Sequence, residues 1–373
     1  MDRWHLGCLA IVLALAVALA GGVSVGSPTD PIELAPGPQS APDDEHLPPW
    51  VEADDRPPAS LSTIDSDRDG EFQVHFINVG QADATLLVTP SNETILIDTG
   101  HSRDDGAYVL EYLEAHGIDR IDALVATHPH WDHIGGHPAV IEAYETERDG
   151  IGVALDPGVA HTTSTYGSYL DAIEDHDVPL RVVREGDPID WDSALDVSVL
   201  NPPEDERAEV LNDESLVFHV EYGETSVLLP GDAEGEAEYR MAREHGDDLD
   251  ADLYKAGHHG SDTSSTAPLL ERVDPEIAVV SSAYRSPFGH PDDDVLTRLA
   301  RQDVTTYWTA VHGSVVAVSD GEAWTLRTQA DRTTDPRLVR AEPAVAAHPA
   351  AGVRHASPDG PPVLAAGPPD DRE

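Results

Sequence analysis

Four side chains in one short stretch, His128-Pro129-His130-Trp131-Asp132-His133, have the types and spacing of metal ligands. Two imidazoles one residue apart can both reach a single ion from a tight loop, while Asp132 and His133 are offset enough to serve a second. Imidazole together with carboxylate suits Zn²⁺ best, with Mn²⁺ or Fe as alternatives. The bland alternative is a solvent-exposed histidine loop or a helix cap. A chance stretch of this pattern followed by Gly135-Gly136 is improbable. Three more clusters carry the same donor types: Asp98 in Leu96-Ile97-Asp98-Thr99-Gly100, Asp232 in Leu228-Leu229-Pro230-Gly231-Asp232, and His258-His259 within Lys255–Ser261. Asp232 could bridge two ions, or cap the helix expected at 233–245, which Asp does well. Of His258 and His259 one is a candidate ligand, His258 ahead; otherwise both are turn residues. The single cysteine, Cys8, leaves no Cys-based zinc site and no internal disulfide framework.

Each cluster sits just after a predicted strand, where a rigid fold edge can gather side chains from distant sequence into one site. The apolar runs predict strands at Phe72–Val79, Ala84–Val88, Thr94–Ile97, Ile121–Ala126, Val153–Leu155, Leu195–Leu200, Leu216–Glu221, Thr225–Leu229, Asp252–Ala256, Ile277–Ser282, Thr305–Trp308, Val315–Ser319 and Ala323–Arg327. Helical spacing predicts helices over Gly106–His116, from Pro138 onward, over Ala233–His245 and over Asp292–Arg301. Two strand-rich halves with interspersed helices imply an α/β (α+β) protein of packed sheets with helices outside.

The ends of the chain read differently. Residues 1–26 are apolar and contain Ala18-Leu19-Ala20 before Gly21, as expected of a signal peptide or an N-terminal membrane anchor. Residues 27–70 and 330–373 are rich in Pro, Asp, Ala and Gly and are expected to be a disordered linker and a disordered tail. That leaves 71–329 as the folded domain, secreted or anchored to the outer face of the membrane. Asp and Glu total 71 against 22 Lys and Arg, a net charge of -49, and Lys255 is the only lysine. Such a surface repels itself at low salt; at molar salt the Debye length falls to about 3 Å and the repulsion is screened. The composition resembles that of halophilic archaeal proteins. It offers a polyanion no basic groove.

The motifs together resemble the metallo-β-lactamase superfamily, and within it the hydrolase domain of the ComEC competence family and its free-standing relatives. The resemblance covers about 71–320 and rests on Asn78–Asp83, Ile97–Gly100, Thr127–Gly136, Asn212–Leu216, Pro230-Gly231-Asp232, Lys255–Ser261 and Gly289-His290-Pro291. It implies a four-layer αββα sandwich with two divalent ions at one edge, Zn²⁺ or else Mn²⁺. His128 and His130 would hold the first ion, Asp132, His133 and His258 the second, and Asp232 would bridge. Asp98 and Asp83 would orient the histidines. Many members of the superfamily place a third histidine before the bridging Asp; here that region reads Asn212-Asp213-Glu214-Ser215, and His161 is a candidate substitute. Asp132 and His290 are the candidates for a catalytic role, His290 by contacting substrate or as a general acid; His312 is a weaker candidate.

These expectations point to metal-dependent hydrolysis of a phosphodiester, in a small molecule or in nucleic acid. A lactone, thioester or β-lactam is the alternative bond, and a non-catalytic metal-binding surface module the alternative of another kind. No protein partner is expected. The channel proteins of the competence family have many membrane helices, and this chain has one candidate at most.

Overall fold

A computed structural model describes residues 70–204 and 207–345. The expected signal or anchor segment, the linker up to residue 69 and the tail beyond residue 345 lie outside the described residues.

Strand alternation divides the apolar residues into three cores. In β3 (Thr94–Ile97), Leu96 faces one way and Ile95 and Ile97 the other; in β4 (Ile121–Val125), Ile121 and Leu124 oppose Ala123 and Val125. The same happens in β9 (Thr225–Leu229), where Leu228 opposes Val227 and Leu229. Ile95, Ile97, Val125, Val227 and Leu229 meet Phe72, Phe76 and Phe218 in the layer between two sheets. Leu96 and Leu124 instead pack under α1 (Ala107–Ala115), α2 (His137–Glu147) and α3 (Ser164–Asp175), and Leu228 under α4 (Gly235–Glu244), α5 (Ala267–Val273) and α6 (Asp293–Arg301). The result is the four-layer αββα sandwich that the resemblance implies. Each fully buried Leu, Ile or Phe contributes roughly 1.5–3 kcal/mol relative to exposure.

The first sheet has eight strands in the order β14-β13-β1-β2-β3-β4-β5-β6, with β1 at Phe72–Phe76, β2 at Thr85–Val88, β5 at Ile151–Asp156, β6 at Leu180–Val182, β13 at Val315–Ser319 and β14 at Trp324–Thr328. The second has six in the order β12-β11-β10-β9-β8-β7, with β7 at Asp196–Asn201, β8 at Val217–Tyr222, β10 at Leu253–Lys255, β11 at Ile277–Val280 and β12 at Thr305–Trp308. Strands β3 to β6 run parallel, as do β9 to β12. Ligands of open parallel sheets bind beyond the carboxyl ends of the strands. Those ends meet here: the Leu216 N–H donates to the Thr127 carbonyl at 2.9 Å, linking one sheet to the other at that edge.

Strand β6 and helix α5 were not expected from the sequence, and two further departures carry a physical reason. Helix α3 was not expected because its residues, STYGSYLDAIED, are mostly polar. Its buried face of Thr165, Tyr166, Tyr169 and Ile173 follows helical spacing, and Thr163 caps it by accepting the Tyr166 N–H at 3.3 Å. The second is a correction. The tail expected from residue 330 does not begin there, because residues 330–345 pack on the body. Val339 is completely buried, the Thr306 N–H donates to the Thr334 carbonyl at 2.8 Å, and the Val345 N–H donates to Ala310 at 2.7 Å. A segment with few apolar residues can be held by backbone hydrogen bonds and one buried valine, which composition does not reveal.

Candidate metal centre

Asp98 begins the site. It follows β3 in the left-handed region, φ 59°, which Asp tolerates better than most residues. Its carboxylate accepts the Thr127 N–H at 2.9 Å and the Thr127 hydroxyl at 2.8 Å, tying the end of β3 to the end of β4. The same carboxylate lies 2.7 Å from His133 Nδ1. This fixes the proton on Nδ1 and leaves Nε2 free to face the site. The loop 128–136 then turns back so tightly that a Cβ on Gly135 would sit 2.0 Å from the Ser102 nitrogen, and one on Gly136 2.5 Å from the Thr99 carbonyl. No side chain fits at either position.

Asp232 enters from the other sheet, at the end of β9. Its Oδ2 lies 3.1 Å from His133 Nε2, 3.7 Å from both His258 Nε2 and His259 Nε2, and 3.9 Å from His128 Nε2. His128 Nε2 is in turn 2.8 Å from His130 Nδ1, and His259 Nε2 is 3.4 Å from Asp132 Oδ2. The residues expected as ligands, His128, His130, Asp132, His133, Asp232 and His258, are therefore brought together around one carboxylate, and His259 is with them. Donor atoms of Asp83, His133, Asp232 and His259 lie within 4.8 Å of one another. His259 thus sits beside Asp132 and His133, the place the resemblance gave to His258. His258 instead leans on Glu234, with Nδ1 2.9 Å from its Oε1. The cap alternative for Asp232 falls to another residue: Asp213 accepts the N–H groups of Glu234 at 2.8 Å and Ala237 at 3.3 Å at the start of α4.

The remaining candidates divide. Asp83 pairs with the buried Lys255 ammonium, and its N–H donates to the Asp132 carbonyl at 3.1 Å. His290 borders the cluster, its ring 5.7 Å from that of His258 and 6.4 Å from that of His259, with Nδ1 3.4 Å from Gln81 Nε2. His161 is 6.4 Å from His130, ring to ring, and is held by Thr163 at 3.1 Å. His312 serves packing instead, its Nδ1 accepting the Trp308 N–H at 2.9 Å within the short α7 (Thr309–His312). Glu234, Asn212 and Gln81 were not expected. Asn212 Nδ2 donates to Glu234 at 2.9 Å, and the Thr263 hydroxyl to Glu234 at 3.1 Å. The one available signal for Glu234 was its place two residues after Asp232.

Charge in the cluster is uneven. Burial pulls His128 well below the usual imidazole range, helped by the positive charge of His133 and His130. Burial also lowers His130. Burial opposes charge on His133, yet Asp232 and Asp98 outweigh it and hold His133 well above that range. His258, against the same burial, is raised to about 8 by Asp232 and Glu234. His290 is lowered to about 4, by burial first and then by His259 and His258. Burial opposes ionisation of Asp132 and Asp232 too, but the neighbouring histidines keep both carboxyls below their usual range.

Four buried atoms of this cluster make no well-aligned hydrogen bond, His133 Nε2, Asp232 Oδ1, His259 Nε2 and Asp83 Oδ1, although the two imidazole nitrogens face carboxylate oxygens at 3.1 and 3.4 Å. A buried polar atom left unpaired costs about 1–3 kcal/mol. Convergent unpaired donors of imidazole and carboxylate type are what a divalent cation satisfies, so this donor set fits such ions.

The metallo-beta-lactamase superfamily model matches residues 77–284. The chain belongs to that superfamily. Relatives of this superfamily member include Recombination protein 2 of Haemophilus influenzae, 34% identical over 249 residues, covering 65% of this chain and 28% of that protein. ComE operon protein 3 of Bacillus subtilis is 29% identical over 261 residues, covering 66% and 33%. Competence protein ComA of Neisseria gonorrhoeae is 28% identical over 247 residues, covering 66% and 32%. The match thus spans a third or less of the length of these relatives. The superfamily match ends before His290 and before the packed segment 330–345.

Proposed function

We propose that this metallo-β-lactamase-fold protein hydrolyses phosphodiester bonds with divalent metal ions, Zn²⁺ first and Mn²⁺ as the alternative. The observation that carries the reading is Asp232 Oδ2, set 3.1–3.9 Å from Nε2 of His128, His133, His258 and His259. One carboxylate among that many imidazoles would be a ligand that two ions share. His128 and His130 would hold one ion with Asp232; Asp132, His133 and His259 would hold the other with the same Asp, and His258, its Nε2 as near to that Asp as His259's, would be a further ligand. Divalent ions supply activation of water near neutral pH and neutralisation of charge on a phosphoryl oxygen. The chain itself orients the ligands. Asp98 keeps the His133 proton on Nδ1, and Glu234 does the same for His258. His290, lowered to about 4, is neutral at pH 7, which favours contact with substrate over service as a general acid.

The names of the relatives, in recombination and competence, favour nucleic acid among the phosphodiesters. With residues 1–26 acting as a signal or anchor, the enzyme would work outside the cell. The test uses full-length protein, stripped by chelator and reloaded with Zn²⁺ or Mn²⁺ in molar salt. Bis(4-nitrophenyl) phosphate and single-stranded DNA are assayed beside a lactone, a thioester and a β-lactam. Turnover of the phosphodiesters that requires metal and disappears in Asp132→Ala is expected. Turnover only of the other three substrates would replace the reading, and a protein that takes up no metal would point to a non-catalytic module.

A further inference from the structure

Of the four phenylalanines in the chain, Phe72, Phe76 and Phe218 are completely buried, whereas Phe288 is 48% exposed. It lies on the loop between β11 and α6, two residues before His290. Its ring is 5.8 Å from that of His290, which is stacked at 22° on His259, 6.4 Å away. A row of rings therefore runs from solvent at Phe288 to the cluster around Asp232. Tyr284 and Arg285 are exposed on the same loop. The inner face of Tyr284 stacks on Trp308 at 5.6 Å and 17°.

A single exposed apolar side chain is ordinary. This one is set apart by the fixity of its loop. At one end the Trp308 indole donates to the Ser282 carbonyl at 3.1 Å. At the other, the Asp292 N–H donates to Gly260 at 2.8 Å, and Arg340 of the packed C-terminal segment donates to Gly289 at 2.8 Å and to Pro291. Phe288 is held in water beside the site on a loop pinned at both ends.

The charge of the chain narrows what could rest there. A net charge of -49 repels a polyanion at long range, so recognition of one must come from contacts at short range. Stacking on an aromatic ring is such a contact, accepts any base, and is not weakened by the salt that screens phosphate contacts.

We infer that Phe288 is the platform on which an unstacked nucleobase of the substrate rests, with Arg285 as the nearby cation. The site then takes single-stranded ends in preference to duplex, because in a duplex both faces of a base are already covered. The inference deepens the phosphodiesterase reading and rests on it.

The probe is a hydrolysis-resistant phosphorothioate oligothymidylate, compared with an abasic phosphorothioate strand of the same length and with a duplex, by fluorescence anisotropy on the metal-loaded full chain. Wild type is expected to bind the oligothymidylate about tenfold more tightly than either of the others. Phe288→Leu, which stays apolar but cannot stack, should lose that preference, and Phe288→Trp should restore it, both with an unchanged thermal midpoint. The preference should persist from low to molar salt. A Phe288→Leu protein that keeps the wild-type preference overturns the inference while leaving phosphodiester turnover in place. A wild type with no phosphodiester turnover at all overturns the reading beneath it.

Discussion

The loop after β4 offers His128 and His130 hydrogen-bonded to each other at 2.8 Å, with the Thr127 hydroxyl 3.1 Å behind His128. The loop after β10 is built otherwise. Glu234 stands behind His258 at 2.9 Å, and the Ser281 carbonyl behind His259 at 3.1 Å. The backbones differ too: His258 and His259 are both left-handed, at φ 47° and 55°, which costs about 1–2 kcal/mol per residue. The first loop has no left-handed residue at its histidines, and it lowers His128 and His130 while its third imidazole, His133, is raised by Asp232 and Asp98. The second is strained, and its imidazoles are raised by carboxylates. Metal uptake would therefore compete with protons at His133 on the first loop as well as at His258 and His259 on the second.

The largest test removes what the loops share. Asp232→Asn should abolish uptake of both ions and lower turnover on the order of 10³-fold, a loss of several kcal/mol. Metal analysis showing that one ion stays bound would mean that the loops do not depend on a common bridge. Next in size is the foundation of the strained loop. Lys255→Met leaves the Asp83 carboxylate buried without its cation, and denaturant unfolding should show about 3–5 kcal/mol of destabilisation. Adding Asp83→Asn should recover much of it; if it does not, the pair is not what supports the loop.

Smaller effects separate the orienting carboxylates. Asp98→Asn should weaken metal binding by about 10–100-fold in calorimetry. Glu234→Gln should fall at the lower end of that range, about tenfold, because its carboxylate is partly open to solvent. Equal losses would erase the distinction between a deep and a shallow carboxylate. The smallest effect is a proton count. With His258 raised to about 8, metal binding at pH 7 should release its proton, and affinity should climb with pH until about 8. In the metal-free protein the sign is reversed. The stability that His258 gains from its partners is fully present below its ordinary 6.5 and is lost as pH rises through about 8. Glu234→Gln should move both inflections downward; calorimetry in buffers of different ionisation enthalpy reads the first and thermal melts the second.

Much of this edge was legible because strand ends and ligand types are both local in sequence. The positions of Asp98, the run 128–133, Asp232 and His258-His259 each follow a short apolar run. What was not legible depends on where other loops arrive. The sequence puts His258 ahead of His259, and only the left-handed turn shows that His259 faces Asp132 while His258 faces Glu234. Asp232 is the plausible cap for α4 in the sequence, and only the fold shows the loop at 211–214 bringing Asp213 across to take that place. The polar helix α3 and the packed segment 330–345 were hidden for a related reason, since each is stabilised by a few buried residues amid a composition that reads as loop.

The buried pairing of Lys255 has a chemical consequence. Lys255 is the chain's only lysine, and it is 4% exposed between the two sheets. Amine-directed acylating reagents therefore find no side-chain target on the folded surface. Any modification of Lys255 must wait for the strand ends to part, so its rate is a clock for the opening of this edge. A bound ion, which ties those ends together, would slow that clock.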